Sequence, residues 1–127
     1  MTEDEIGKII VDLALEVYKS LGPGLLESAY ESCLKHELKI RNLSVMSQQE
    51  QALVYKGMKM DVAYRLDLVV ENKVIIEIKS VEGLNDIHLA QIISYLKLSN
   101  LRLGYLINFN VKLIKDGIKR VANNFTM

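Results

Sequence analysis

Apolar positions recur at helical spacing in the first segment of the chain. Ile6, Ile9, Ile10, Leu13, Val17 and Leu21 form one stripe and predict a helix over Thr2 to Leu21. Thr2 and Glu5 stand at capping-box spacing at its start. Gly22 suits a helix C-terminus, and Pro23 cannot continue the same helix. A second helix is expected from about Leu25 to Ile40, with Leu26, Ala29, Tyr30, Cys33, Leu34 and Leu38 on its apolar side. From Ser44 the period changes to two. "SVMSQQEQALVY", "MKMDVAYRLDLVV" and "VIIEIKS" read as three strands, with turns at Lys56-Gly57 and Glu71-Asn72-Lys73. Ile87 to Leu98 returns to helical spacing, "RLGYLINF" reads as a fourth strand, and "IKRVA" after Asp116-Gly117 reads as a last edge strand. The order is α-α-β-β-β-α-β, with the "IKRVA" segment as a further final element. Three strands in short succession predict an antiparallel meander. The helix before strand four permits a crossover, so a mixed sheet flanked by helices is expected, in the α/β (α+β) class.

Composition narrows the setting. The 127 residues fit one domain, taken as 1–127. Half are apolar and a quarter charged, the balance of an ordinary globular protein with a core of moderate size. The single Cys33 excludes an intrachain disulfide and suits a reducing cytoplasm. The start Met-Thr-Glu-Asp-Glu does not read as a signal peptide, and no run approaches the roughly 18 apolar residues of a membrane helix. The net charge is zero, which argues against nonspecific coating of nucleic acid. The halves differ, however. Residues 1–54 hold 9 acids against 5 bases, a net of −4, and residues 55–127 hold 7 acids against 11 bases, a net of +4. A basic face in the second half suits a phosphate backbone; an uneven solvated surface accounts for it equally well.

The third strand carries two charges in an apolar setting. Glu77 and Lys79 share a face with Ile75, opposite Val74, Ile76 and Ile78. On the preceding strand, Arg65, Asp67 and Val69 share one face, and Leu66, Leu68 and Val70 the other. If Glu71-Asn72-Lys73 is a three-residue loop closing Val70 on Val74, Asp67 falls opposite Glu77 and Arg65 opposite Lys79. A two-residue loop would bury Asp67 among aliphatics, so the first register is preferred. Adjacent carboxylates repel, and one is driven toward protonation. A divalent cation relieves this, and carboxylate oxygens are hard ligands for Mg2+ or Mn2+. Lys79 is then placed to orient water or stabilise charge on a phosphate. The alternative is a solvated sheet face with cross-strand ion pairs, such as Glu77 with Arg65.

Asp67, followed ten residues later by Glu77-x-Lys79 in an apolar strand and then by a helix and a strand, resembles the PD-(D/E)XK nuclease superfamily. That superfamily has an α-β-β-β-α-β core. "YRLD" supplies no proline before Asp67. "GLLESAY", Gly24 to Tyr30, matches the G-x-x-E-x-x-Y motif of the GxxExxY protein family, which is placed in the same superfamily. The resemblance extends through "RLDLVVENKVIIEIKS", "QIISYLKLSNLRLGYLINF" and "LIKDGIKRV". It implies metal ligands at Asp67 and Glu77, the Ile78 backbone carbonyl as a third, and a catalytic role for Lys79. It implies an acidic site residue at Glu27, whose alternative is a first-turn carboxylate favoured by the helix dipole. Gln91 and Tyr95, one turn apart, match Q-x-x-x-Y. Gln91 is the catalytic-site residue that helps position the site or the nucleic acid, with a partly buried glutamine hydrogen-bonded to the sheet as the alternative. Tyr95, Tyr30 and Arg65 are site-adjacent, with packing the alternative for both tyrosines. No Cys/His spacing suggests zinc, no P-loop appears, and His36, His88 and Cys33 carry no assigned role.

The leading expectation is a Mg2+- or Mn2+-dependent nuclease that hydrolyses DNA, ahead of RNA, without a membrane and with a homodimer as a candidate assembly. The alternatives are a non-catalytic nucleic-acid- or protein-binding module on the same fold, and a small interaction domain whose strand charges are ion pairs.

Overall fold

The computed structural model describes residues 1–123. Helix α1 spans Glu3–Leu21, and α2 spans Glu27–Ile40. Thr2 caps α1: its Oγ1 accepts from Glu5 N at 3.2 Å, and Glu5 Oε1 accepts from Thr2 N at 2.9 Å. α2 begins two residues later than expected, because the Gly22–Leu25 loop is tied down first. The Tyr30 hydroxyl donates to Gly22 O at 2.6 Å and accepts from Leu25 N at 3.1 Å. Its fully buried ring stacks on Phe109 at 4.4 Å.

Strands β1 (Val45–Tyr55), β2 (Met58–Val70) and β3 (Val74–Lys79) form the expected meander. Helix α3 (Asp86–Ser99) carries the chain across to β4 (Leu103–Asn108), which lies parallel to β3. A short 3-10 helix (Ile114–Gly117) leads into β5 (Ile118–Ala122), antiparallel to β4 at the sheet edge. The sheet order is β1-β2-β3-β4-β5. Asn85 and His88 form a reciprocal cap at the start of α3, which gives His88 a structural use. No described helix is long and apolar enough to cross a membrane.

Both faces of the sheet are covered. Ile6, Ile10 and Leu13 of α1 and Leu34 and Leu38 of α2 pack on Leu68, Val70, Val74, Ile76 and Ile78. Ile92, Tyr95 and Leu96 of α3 pack on Leu66, Val69, Ile75 and Leu106 from the other side. The Ile75 face of β3 is therefore core at its start and polar only at its end. Leu66 also departs from the expected alternation, lying on the α3 side while Leu68 and Val70 lie on the α1/α2 side. The β1–β2 ladder explains this. It pairs Ser47 with Leu68 and Gln49 with Leu66 but skips Gln48 and Asp67, and Gln48 sits at φ 53°. An irregularity at one position reverses which face the following residues take.

Two glycines mark close approaches. A Cβ at Gly7 in α1 would lie 2.3 Å from the Tyr105 hydroxyl of β4. A Cβ at Gly117 would lie 2.1 Å from the backbone carbonyl of Asn108, at the end of β4. The second collision is with main chain and has no side chain to rotate away. Gly117→Ala should therefore destabilise the protein by about 1–3 kcal/mol in urea unfolding. An unchanged midpoint would mean that the return from the 3-10 helix is looser than described.

Candidate active site

The β2–β3 ladder is short for the strands that form it. It runs through Val70–Val74, Val69–Ile75 and Leu68–Ile76, in the register of a three-residue loop, and then stops. Asp67 and Glu77 are thus not ladder partners, and Arg65 does not stand opposite Lys79. Arg65 instead pairs with Glu50 on β1, exposed on the part of the hairpin that extends past β3. In the fork where the strands part, two backbone N–H groups need acceptors. Ile78 N donates to Asp67 Oδ2 at 2.8 Å, and Asp67 N donates to Glu77 Oε2 at 2.9 Å. The carboxylates replace the missing ladder carbonyls and are held by the groups they satisfy.

This placement is electrostatically demanding. Glu77 is 4% exposed. Burial, followed by the nearby Asp67 charge, pushes its carboxyl up to about 8. Burial also raises Asp67, although the Ile78 N–H opposes the shift. Among the described residues, the salt bridge found is Asp4–Arg120, on the exposed surface far along the chain from the fork. The solvated face with a Glu77–Arg65 pair is therefore overturned: Glu77 is buried, and its partner is a backbone N–H.

Both helical layers reach the fork. From α2, Glu27 Oε2 accepts from Ser80 N at 3.2 Å, while Ser80 Oγ donates to Leu25 O at 2.7 Å. Glu31, one turn further along α2, accepts from Gln48 Nε2 at 3.0 and 3.1 Å. The same Gln48 nitrogen lies 3.4 Å from Asp67 Oδ1. Burial, then Asp67, raises the Glu31 carboxyl, so three acids share one field. From α3, Gln91 Oε1 accepts from Lys79 Nζ at 3.2 Å. Tyr95 is buried beside Gln91; burial, then the charges of Glu77 and Asp67, raise its phenol. Tyr30 is not part of this cluster, since its hydroxyl closes the Gly22–Leu25 loop.

The sequence reading missed three contributors. Glu31 carries a signal, because it lies four residues after Glu27 on the same helix face. Gln48 carries none, since its role depends on a left-handed backbone inside a strand. Asn108 is 1% exposed and stitches the end of β4 to the segment after Lys79. Its Oδ1 accepts from Val81 N at 3.1 Å, and its Nδ2 donates to Val81 O at 3.0 Å. Phe109 N donates to Lys79 O at 3.1 Å beside it. The backbone around Lys79 is thereby fixed on both sides.

Among the described residues, no group of three or more His, Cys, Asp or Glu is arranged to hold a metal ion. Two carboxylates with hard oxygens remain, each with one oxygen that no backbone donor occupies. Mg2+ is commonly held by one or two carboxylates, with waters and phosphate completing its shell, so this donor set fits it. Burial first, and for Glu77 the neighbouring Asp67 charge second, raises the proton affinity of both carboxyls.

A family model described as the PD-(D/E)XK nuclease superfamily matches residues 4–121. No curated protein matches the chain. Among solved structures, the crystal structure of SSO0001 is similar, with a TM-score of 0.56 and 23% sequence identity. The match covers 98% of this chain and 61% of that one, so this chain spans about three fifths of the other's length. At that identity the likeness is one of fold.

Glu77 makes stability depend on pH with a definite sign. Its folded carboxyl titrates at about 8, above the ordinary 4.5. The folded state then binds the proton more tightly, and the resulting stability is complete below 4.5 and is lost as pH rises through about 8. In metal-free buffer, unfolding free energy should fall by on the order of 1–4 kcal/mol between about pH 5 and pH 9. Glu77→Gln should flatten that slope. An equal slope in the variant would place the titration elsewhere.

Proposed function

The chain belongs to the PD-(D/E)XK nuclease superfamily, and from that premise we propose that its forked-strand site hydrolyses phosphodiester bonds of nucleic acid, DNA ahead of RNA. The observation that carries the reading is the fork itself. Glu77 is buried and Asp67 half-buried, both are fixed by backbone donors, and Lys79, two residues beyond Glu77 on β3, is held by Gln91.

In this reading Asp67 and Glu77 hold Mg2+ or Mn2+. The Ile78 carbonyl is the third donor. It projects from the same strand edge as the Ile78 N–H, which points at Asp67. When bound, the cation neutralises the paired carboxylates and acts as a Lewis acid at the phosphate. The Lys79 ammonium stabilises charge growing on the phosphate oxygens and orients the attacking water. Gln91 fixes the direction of that ammonium. Glu27 holds the Ser80 backbone, and with it the C-terminal end of β3.

We further assign the chain to the GxxExxY group of the superfamily, because its motif residues act on one stretch of chain. Gly24 takes φ 100° in the loop, Tyr30 ties the two ends of that loop, and Glu27 reaches Ser80 next to Lys79. A non-catalytic binding module on the same fold is the second reading. It is favoured by the lack, among the described residues, of a third acid, histidine or cysteine arranged around the metal position.

Asp67→Asn and Lys79→Ala should each lower Mg2+-dependent cleavage of a plasmid or oligonucleotide by about 100- to 1,000-fold while the fold melts normally. Mn2+ or Mg2+ should raise the melting temperature of the wild type and leave Asp67→Asn unmoved. Cleavage at wild-type rates in both variants would remove the assignment. A wild type that binds metal but cuts nothing would favour the binding module.

A further inference from the structure

A cleft adjoins the site on the α3 side of the sheet. It lies between α3 and the part of the β1–β2 hairpin that extends past β3. Leu53 and Tyr64 line it from the hairpin, and Gln91, Tyr95, Lys97 and Leu98 from the helix. Its volume is about 430 Å³, at the smaller end of the range for ligand pockets.

Three features say what it takes. First, it is continuous with the fork, because Gln91 both lines the cleft and accepts from Lys79. Second, it offers an aromatic face. Tyr64 is 40% exposed and meets Tyr95 at 5.7 Å with the rings tilted by 46°, so Tyr95 does not cover the Tyr64 ring as a parallel stack would. Third, the exposed Lys97 supplies a cation at the rim, beside apolar walls from Leu53 and Leu98. The cleft is also braced. Gln51, the ladder partner of Tyr64, donates from Nε2 to Leu98 O at 3.1 Å and ties the hairpin to α3. A two-stranded ribbon alone is only marginally ordered, so this tie is what gives Tyr64 a fixed position.

Resting on the nuclease reading, we propose that this cleft seats one unpaired nucleobase of the substrate strand, stacked on Tyr64, beside the phosphate that Lys79 addresses. A base inside a duplex has both faces covered by its neighbours and cannot present one to Tyr64. An unstacked base has a free face, and aromatic stacking accepts any of the four bases. The substrate class is therefore nucleic acid with at least one unpaired nucleotide at the cleavage position: a single strand, an overhang or a bubble. Lys97 meets the backbone of the same strand through charge alone, without reading sequence.

The test is fluorescence anisotropy with a labelled oligothymidylate and a labelled duplex, with calcium in place of magnesium. The wild type should prefer the single strand. Tyr64→Ala should weaken single-strand binding by roughly 5- to 100-fold, Tyr64→Phe should restore it, and neither should change duplex binding. A strand with an abasic residue should lose a similar factor against the wild type and lose nothing further against Tyr64→Ala. A 2-aminopurine at that residue should be quenched by the wild type and not by Tyr64→Ala. Single-strand binding unaffected by both Tyr64→Ala and the abasic residue overturns the proposal, as does equal weakening on the duplex or a wild type that binds no nucleic acid. The two readings fail separately. Lys79-dependent cleavage with no Tyr64 effect removes the base seat alone; quenching that depends on Tyr64, without any cleavage, removes the nuclease reading alone.

Discussion

Two hydrogen bonds organise the site: Ile78 N to Asp67 and Asp67 N to Glu77. They exist because β2 and β3 stop pairing at Leu68–Ile76 while both strands continue. A parted ladder inside a covered sheet leaves N–H groups that must find acceptors. Here the acceptors are carboxylates, and each carboxylate is positioned by the other strand's backbone. The same event that breaks the ladder therefore aligns the acids, and it does so with main-chain donors. The unfavourable side is the burial of Glu77 beside the half-buried Asp67, which pushes the Glu77 carboxyl up to about 8.

The fork explains why helices from opposite faces serve one site. A continuous sheet would separate α2 from α3. Where the strands part, Glu27 and Glu31 approach from the α2 side, and Gln91 and Tyr95 from the α3 side. Gln48 belongs to the same event on the neighbouring strand. Its left-handed backbone lets the β1–β2 ladder skip Asp67 and frees it to lean toward β3. Asn108 secures the far boundary by holding Val81, so the strand end that carries Lys79 is fixed from β4 as well.

Much of this is legible in the chain. Alternation and helical spacing give the element order, and the need to keep Asp67 from being buried among aliphatics selects the three-residue loop and hence the hairpin register that sets Asp67 near Glu77. What alternation does not give is the point where pairing ends. Ideal parity carries the ladder on to Arg65 and Lys79 and puts Leu66 on the same face as Leu68; the irregularity at Gln48 and Asp67 changes both. A glutamine at φ 53° inside a strand has no compositional mark, unlike a glycine. Tyr30 shows the converse. Its motif position suggests proximity to the site, whereas its hydroxyl holds a loop. Asn108, in a strand whose other polar side-chain group is the Tyr105 hydroxyl, is visible as an anomaly, but its partner Val81 is a backbone that only the fold brings near.

The central claim is that the fork is a metal seat built in advance by backbone donors. Diffraction from crystals soaked with Mn2+, with anomalous data at the manganese edge, tests it most directly. The account predicts a peak between Asp67 Oδ1 and Glu77 Oε1, the oxygens that no backbone N–H occupies, with the Ile78 carbonyl facing it and the bonds from Ile78 N and Asp67 N intact. No peak there at saturating Mn2+, or a peak held by other residues with the fork unchanged, would contradict it.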